Sequence, residues 1–558
     1  MVVQDSGPNQ AAHFALVRSL ASGTAEIDPS ETIDASYVDG RYYAAKAPGL
    51  AMFTLPWYGA LRAFGLQDAP RSTAENYRDR VWELGLFGAV LPMLALLLLM
   101  LVAAERVVPG YGLPAAVLLG AGTLLLPFST LFFDHVLSAA LGFAAFVVLL
   151  VARERGSPPW WLAAAGVLAG LAAVVEFPLA IVTVVLALYA ASGVRRLRRG
   201  ATYCGGVLAG LVPLLAYNTW AFGSPLTLGY TNALKEPAGS GAPVVGANDE
   251  GFYGVGFPDP RAALSLLVSE KGLLIVTPLA IAAAAGLPLL WRTGRRAEGA
   301  VCAAVPFLFL AYNAAYYLPF GGQSPGPRFL VPALPFLVLP LALLLRTRPL
   351  VVAGVGVASV AVMALATLAG PLTGVEYGIG TWLGRLGRSE IVETVVGRAG
   401  LDAPWLGAAL FAALVAAACA VALARLPLRP AMRAEWPLLT GALGAWLLVV
   451  IVAPQLLPAD EEHGTFEGDV AVVVLGVTLA IGLHLARSRG VVALLPMLPA
   501  LVLATPQMTA RPRWSLLVAT LILCAASVLW ARGRRARRPE DAGTVDAPVS
   551  KPPLASPR

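Results

Sequence analysis

Charge is what this chain has least of. Only 13% of its 558 residues are Asp, Glu, Lys or Arg, about half of the roughly 25% usual in a soluble domain. Meanwhile 58% are hydrophobic and the mean hydropathy is +0.73. That balance excludes a soluble enzyme and predicts a polytopic membrane protein. Lysine is scarcer still: of 40 basic residues only Lys46, Lys235, Lys271 and Lys551 are lysine. The net charge of +7 does not point to nucleic acid, because the arginines sit in short clusters between apolar runs, as in cytoplasmic membrane loops.

The four cysteines, Cys204, Cys302, Cys419 and Cys524, lie far apart inside apolar segments without CxxC spacing, so neither a disulfide framework nor a zinc site is indicated. The four histidines, His13, His135, His463 and His484, have no metal-ligand spacing to one another. A hard divalent ion held by carboxylates stays open as a cofactor, with nothing requiring it. No GxxxxGK[ST] loop and no GxGxxG after a strand is present, so a nucleotide site is not supported. Met1–Gly7 lacks the basic-then-apolar pattern of a signal peptide.

What is there is a succession of apolar runs, fifteen between Val81 and Ala531, which predicts an all-α membrane protein of about 15 transmembrane helices. Trp160–Ala191 decides the orientation. As one straight helix it would be about 48 Å long at 1.5 Å per residue, against a hydrocarbon core of about 30 Å. Two short passes turning at Glu176 and Pro178 remove the excess. They also bring the clusters at Arg153/Arg155, Arg195–Arg199, Arg292–Arg296, Arg346/Arg348, Arg425–Arg433, Arg487/Arg489 and Arg532–Arg538 to one side, the cytoplasm by the positive-inside rule. The arginines at 71, 78, 80, 385, 388, 398, 511 and 513 run against the rule. The chain then divides into an outer-face loop (1–80), a transmembrane core (81–345), further transmembrane helices and outer loops (346–538), and a disordered cytoplasmic tail (539–558). Residues 1–80 on the outer face need translocation, which predicts either a lost helix upstream of Met1 or an N-terminal helix carried across with Val81–Ala104.

Within the first loop, Asn9–Ala21 has the spacing of a short amphipathic helix, lying on the bilayer or packed on neighbouring protein. Asp39-Gly40 between Tyr37-Val38 and Tyr42-Tyr43 predicts a two-residue hairpin. Leu50–Gly65 is too short to span and reads as interfacial or re-entrant.

Ionisable groups in or beside spans are costly, so those that persist are candidates for function. Asp134, at the outer end of a span beside His135, competes with a plain helix-dipole role. Glu176 competes with a solvated turn residue. Both fall on the predicted face of Asp34 and Asp39. The cations there are Arg41, Lys46, Lys271 and Arg328, each able to neutralise a phosphate or to snorkel to lipid headgroups.

The segments GRYYAAKAPGLAMFTLPWY, YNTWAFGSPLTLGY (Tyr217–Tyr230), SEKGLLIVTP (Ser269–Pro278) and GGQSPGPRFLVPALPFL (Gly321–Leu337) resemble the GT-C superfamily of membrane glycosyltransferases, in its protein mannosyltransferase-like and RgtA/B/C/D-like branches. The resemblance covers roughly residues 5–345. It implies an inverting transfer of a sugar from a polyprenyl-phosphate carrier to a glycan, lipid or protein acceptor at the outer face. Lys46, Arg328 and Lys271 would then hold the phosphate with Arg41, an acid (Asp34, Asp134 or Glu176) would take the acceptor's proton, and Tyr37, Tyr42, Tyr43 and Trp57 would stack on sugar or prenyl chain. The family's first outer loop usually opens with Asp-Glu before a helix ending Leu-x-x-Gly, its Asp being the base. Here Asn9-Gln10 precede Leu20 and Gly23. An amide cannot accept that proton, so Asp34 is the expected substitute and Asp5 the next choice. The competing expectation is a non-catalytic carrier, flippase or scaffold for lipid-linked sugars.

Overall fold

The computed structural model describes residues 2–64, 74–156, 158–192, 195–237, 242–372, 378–401 and 403–456. All belong to the first of two compact units, Met1–Phe466, and the second, Glu467–Arg558, lies outside the described residues.

The first loop folds as a small cap. Strand β1 (Val2–Val3) leads into helix α1 (Pro8–Ala21), then strands β2 (Ala35–Val38) and β3 (Arg41–Ala44), then helix α2 (Gly49–Ala63). Pro8 at the first turn starts α1 because its missing N–H is one the helix could not use. Residues 9–17 of α1 are all buried, so of its two expected placements the packed one is observed: Phe14 lies edge-on to Tyr58 of α2 and to Tyr77. The hairpin forms as its turn chemistry predicts. Asp39 and Gly40 both take positive φ, 49° and 83°, and the strands pair from Val38↔Arg41 to Ala35↔Ala44.

Helices α3 (Ala74–Gly85) and α4 (Leu91–Val107) join through a π-helical turn, Leu86–Val90, and the apolar span within them, Tyr77–Val107, has 31 residues. Then follow α5 (Gly112–Ala121), α6 (Leu125–Phe128), α7 (His135–Arg155), α8 (Trp160–Val175), α9 (Ala180–Ala191) and α10 (Arg196–Phe222). Glu176 breaks α8 from α9 in extended conformation, with Pro178 in the 3-10 turn that restarts the chain. Helices α8 and α10 pack backbone to backbone: a methyl group on Gly166 or Gly206 would run into the carbonyl of Tyr203 or Ala163.

The second half holds α11 (Pro260–Val268), α12 (Leu273–Val276), α13 (Leu279–Arg292), α14 (Arg296–Ala315), α15 (Leu334–Val338), α16 (Leu341–Thr347), α17 (Pro349–Ala369), α18 (Ile379–Gly387), the strand β4 (Glu393–Thr394), α19 (Val395–Arg398), α20 (Pro404–Leu423) and α21 (Leu428–Leu456). Strand β4 pairs antiparallel with β1, and Arg78 and Arg398 pair with Glu393 and Asp79 around that joint.

Among the described residues seven helices are long and apolar enough to cross a membrane, or nine if each of two pairs bent by 91° and 50° counts as one span. With the shorter apolar helices α5, α8 and Phe177–Ala191 they correspond to the first twelve expected runs. The last three, Val470–Ala486, Val491–Thr505 and Ser515–Ala531, fall outside the described residues, as does the tail.

Helix α7 connects the two ends of the bundle that carry charge clusters. Its 21 residues rise about 30 Å from Asp134 to Arg153 and Arg155. At the second end Glu154 takes Arg106 at 2.8 Å and Arg295 at 3.0 Å, tying the ends of α4, α7 and α14 together. The first end faces the cap.

Candidate functional site

A cavity of about 380 Å³ lies where the cap meets the first end of the bundle. The hairpin supplies two of its charges. Past the last strand pair, the Ala45 N–H donates to the Asp34 carbonyl at 2.9 Å. This continuation of the ladder sets Lys46 beside Asp34, Nζ to Oδ2 at 2.9 Å. The outer edge of β2 is covered in turn by residues 232–234: the Leu234 N–H donates to the Ala35 carbonyl and the Tyr37 N–H to the Asn232 carbonyl. That pairing carries Tyr230, Leu234 and Asn248 into the wall.

The bundle supplies the rest. Asp134 stands at the N-cap of α7, yet its carboxylate accepts no capping hydrogen bond. Oδ2 instead faces His13 Nε2 of α1 at 3.7 Å, and Oδ1 faces His135 Nδ1 at 3.5 Å. The same Nδ1 lies 3.0 Å from Glu176 Oε1, while the Ser138 hydroxyl donates to Glu176 Oε2 at 2.5 Å. Glu176 is only 3% exposed, so it is not the solvated turn residue of the competing expectation. Its position at the break between α8 and α9 aims it inward.

Arg328 enters from the start of a 3-10 turn, Arg328–Ala333, with its guanidinium over the rings of Phe133 (5.6 Å) and Phe329 (5.1 Å). Gly321, at φ +79°, leaves room for it, since a side chain there would collide with the guanidinium. Arg328 is 8% exposed and its Nε makes no hydrogen bond among the described residues. Tyr316, Tyr317 and Gln323 complete that side.

The electrostatics follow from this placement. Burial alone would raise the Asp34 carboxyl, but the Lys46 ammonium, with Arg328 behind it, holds it below its ordinary value. Burial pushes Asp134 up to about 6, against the pull of His135 and with the push of Glu176. Burial, with Lys46, His135 and Arg328 adding to it, holds His13 well below its usual range, which keeps it neutral.

Of the residues singled out from sequence, the structure brings Asp34, Lys46, Asp134, Glu176 and Arg328 to one cavity. It does not bring Arg41, Tyr43 or Lys271 there. Arg41 is exposed and pairs with Glu26 at 2.5 Å. Tyr43 is buried against Phe222, centroids 4.9 Å apart. Lys271 is fully buried, its ammonium over the Phe320 ring at 5.4 Å. Tyr37 and Tyr42 pack on each other, and Trp57 stacks on Phe87 at 3.8 Å. Asn9 lines the cavity with its Oδ1 buried and unpartnered among the described residues. Gln10 accepts from the Phe132 N–H at 3.0 Å, fastening α1 to the segment before Asp134. Sequence reasoning missed the facing of His13 with Asp134, which spans 121 positions of chain and has no local spacing to reveal it.

No protein-family model and no curated protein matches the chain. Among solved structures it is similar to ArnT from Cupriavidus metallidurans in two crystal structures. With the one bound to undecaprenyl phosphate it shares 14% identity over 86% of this chain and 76% of that one, at a TM-score of 0.46. With the apo state it shares 13% identity over the same fractions, at a TM-score of 0.44.

Proposed function

We propose that the cavity is the transfer site of a GT-C-type glycosyltransferase that moves a sugar from a polyprenyl-phosphate carrier to an acceptor hydroxyl at the outer face of the membrane, with inversion. The observation that carries this reading is the meeting of Lys46, Arg328 and Asp34, from separate segments, in one partly buried cavity at the end of an apolar bundle. Two cations suit the phosphate of a lipid carrier: the guanidinium grips it through paired donors and the ammonium as a point charge. A second, apolar cavity of about 360 Å³ between α4, α5 and α20 includes Ser129 and Thr130, close in sequence to Phe133 of the polar one, and has the chemistry of a prenyl chain.

In this reading the acceptor oxygen bonds to the anomeric carbon as the bond from that carbon to the phosphate oxygen breaks. The polyprenyl phosphate leaves with the electron pair, and the acceptor's proton goes to Asp34. Lys46 and Arg328 stabilise the charge that grows on the leaving phosphate. Lys46 also couples binding to chemistry. In the free site it holds Asp34 below its ordinary value, a weak base. A phosphate that engages Lys46 supplies negative charge beside Asp34 and raises its proton affinity, so the base strengthens when the donor is in place.

The direct test is transfer by purified protein from a labelled polyprenyl-phosphate sugar. Lys46→Met and Arg328→Met are expected to weaken donor binding. Asp34→Asn is expected to keep binding and lose transfer by roughly 100-fold or more. Full transfer by Asp34→Asn would remove Asp34 as the base. Asn9 supports the second reading, a carrier or flippase: it lines the cavity where a family carboxylate is expected, and donor binding or flipping with no glycoside formed would favour that alternative.

A further inference from the structure

The Asp34–Lys46–Arg328 reading leaves unused the most buried polar cluster of the cavity. Asp134, His135 and Glu176 each bring one possible ligand atom within 4.8 Å of the other two, and Asp134 Oδ1 and Glu176 Oε1 are the oxygens that face His135 Nδ1. Their residues are 6%, 2% and 3% exposed, and none of the three atoms makes a hydrogen bond among the described residues. Leaving even one such group without a partner costs stability comparable to a lost hydrogen bond. Three that point at one another share a single missing partner more economically than three separate ones.

We infer that Asp134, His135 and Glu176 form a binding site for one divalent transition-metal ion of the Zn²⁺ type. Metal bonds of about 2.0–2.2 Å in tetrahedral array hold their ligand atoms roughly 3.3–3.6 Å apart. The His135 nitrogen is 3.5 Å from the Asp134 oxygen and 3.0 Å from the Glu176 oxygen, so small side-chain shifts suffice. One imidazole with two carboxylates selects zinc-like ions over Mg²⁺ and Ca²⁺, which prefer all-oxygen shells. The surroundings are those of a supported site. The Ser138 hydroxyl orients Glu176 through its other oxygen, and the rings of Phe128, Phe133 and Phe329 pack around His135, fixing the imidazole. Three protein ligands leave a fourth position for water or a ligand oxygen from the cavity. The ion's part in sugar transfer rests on the reading above, whereas its binding does not.

The test uses full-length purified protein, stripped with a chelator and titrated with Zn²⁺ alone. One ion per chain is expected, with an X-ray absorption spectrum fitted by one imidazole nitrogen and oxygen neighbours. His135→Ala and Glu176→Gln should each weaken Zn²⁺ binding by roughly 100-fold or more, and Ser138→Ala by roughly 10-fold. Lys46→Met should not weaken it. The proposal is overturned by no stoichiometric ion, by a spectrum without a nitrogen ligand, by a His135→Ala protein that holds Zn²⁺ as tightly as the parent, or by Mg²⁺ displacing Zn²⁺ at equal concentration. If His135→Ala does not fold, the parent spectrum and the Ser138→Ala titration still decide. No donor or acceptor is present, so a failed transfer assay leaves the metal site standing, and absence of the ion leaves the phosphate reading standing.

Discussion

Asp34 and Lys46 form an ion pair, Oδ2 to Nζ at 2.9 Å, to which the proposed reading gives a chemical part beside its structural one. Asp34 ionises in the folded protein below its ordinary value of about 3.9, so the pair contributes stability at all pH above that value. The contribution is lost as pH falls through the lower folded-state value. The difference in melting temperature between the parent and Asp34→Asn is therefore expected to be present at pH 7 and to shrink below about pH 4. The kinetics carry a second signature. The profile of kcat/KM reports the free enzyme and that of kcat the donor complex, so if donor phosphate draws on Lys46, the acid limb of kcat lies at higher pH than that of kcat/KM. Coincident limbs would separate Asp34 from the donor's charge. At this scale the sequence was informative about which residues are unusual and less so about where they go. Lys46 and Arg328 were legible as cations ahead of apolar runs. Lys271 carries the same signal and is instead buried over Phe320, because a motif does not reveal which way its side chain points.

At the scale of elements, the hairpin and the break between α8 and α9 do most of the positioning. The Asp39-Gly40 turn sets the register that ends with Lys46 beside Asp34. One residue inserted into that turn moves every following side chain to the other face, and is expected to abolish the charge pair and donor binding while leaving the bundle helical by circular dichroism. The close packing of α8 on α10 predicts a contrast between neighbouring glycines. Gly206→Ala must force backbones apart and is expected to cost about 1–3 kcal/mol. Gly205→Ala meets nothing within 4 Å among the described residues and is expected to be neutral or to stabilise by up to about 1 kcal/mol. Thermal melts of the two variants in detergent decide this. Both positioning elements were readable beforehand, the turn from Asp-Gly and the break from a run too long for the bilayer with Glu176 and Pro178 at its middle. The side chains brought by residues 230–248 and 316–323 were not, because their arrival depends on pairing with β2 and on the turn at Gly321 rather than on any local pattern.

At the scale of the molecule, the cavity and the Glu154–Arg106–Arg295 network sit at opposite ends of α7, and the proposed reading expects the cavity end outside and the other end in the cytoplasm. In a chain freed of its native cysteines, Ser30→Cys is expected to react with a membrane-impermeant maleimide in intact cells, and Arg198→Cys only after lysis. The reverse pattern would turn the protein over in the membrane. The central claim, transfer rather than carriage, is tested most directly by incubating the purified protein with a labelled polyprenyl-phosphate sugar and an acceptor mixture and following both products. The account predicts a glycoside of inverted anomeric configuration and one polyprenyl phosphate released for each sugar moved. A donor that binds, or crosses a vesicle bilayer, and is recovered intact would contradict it.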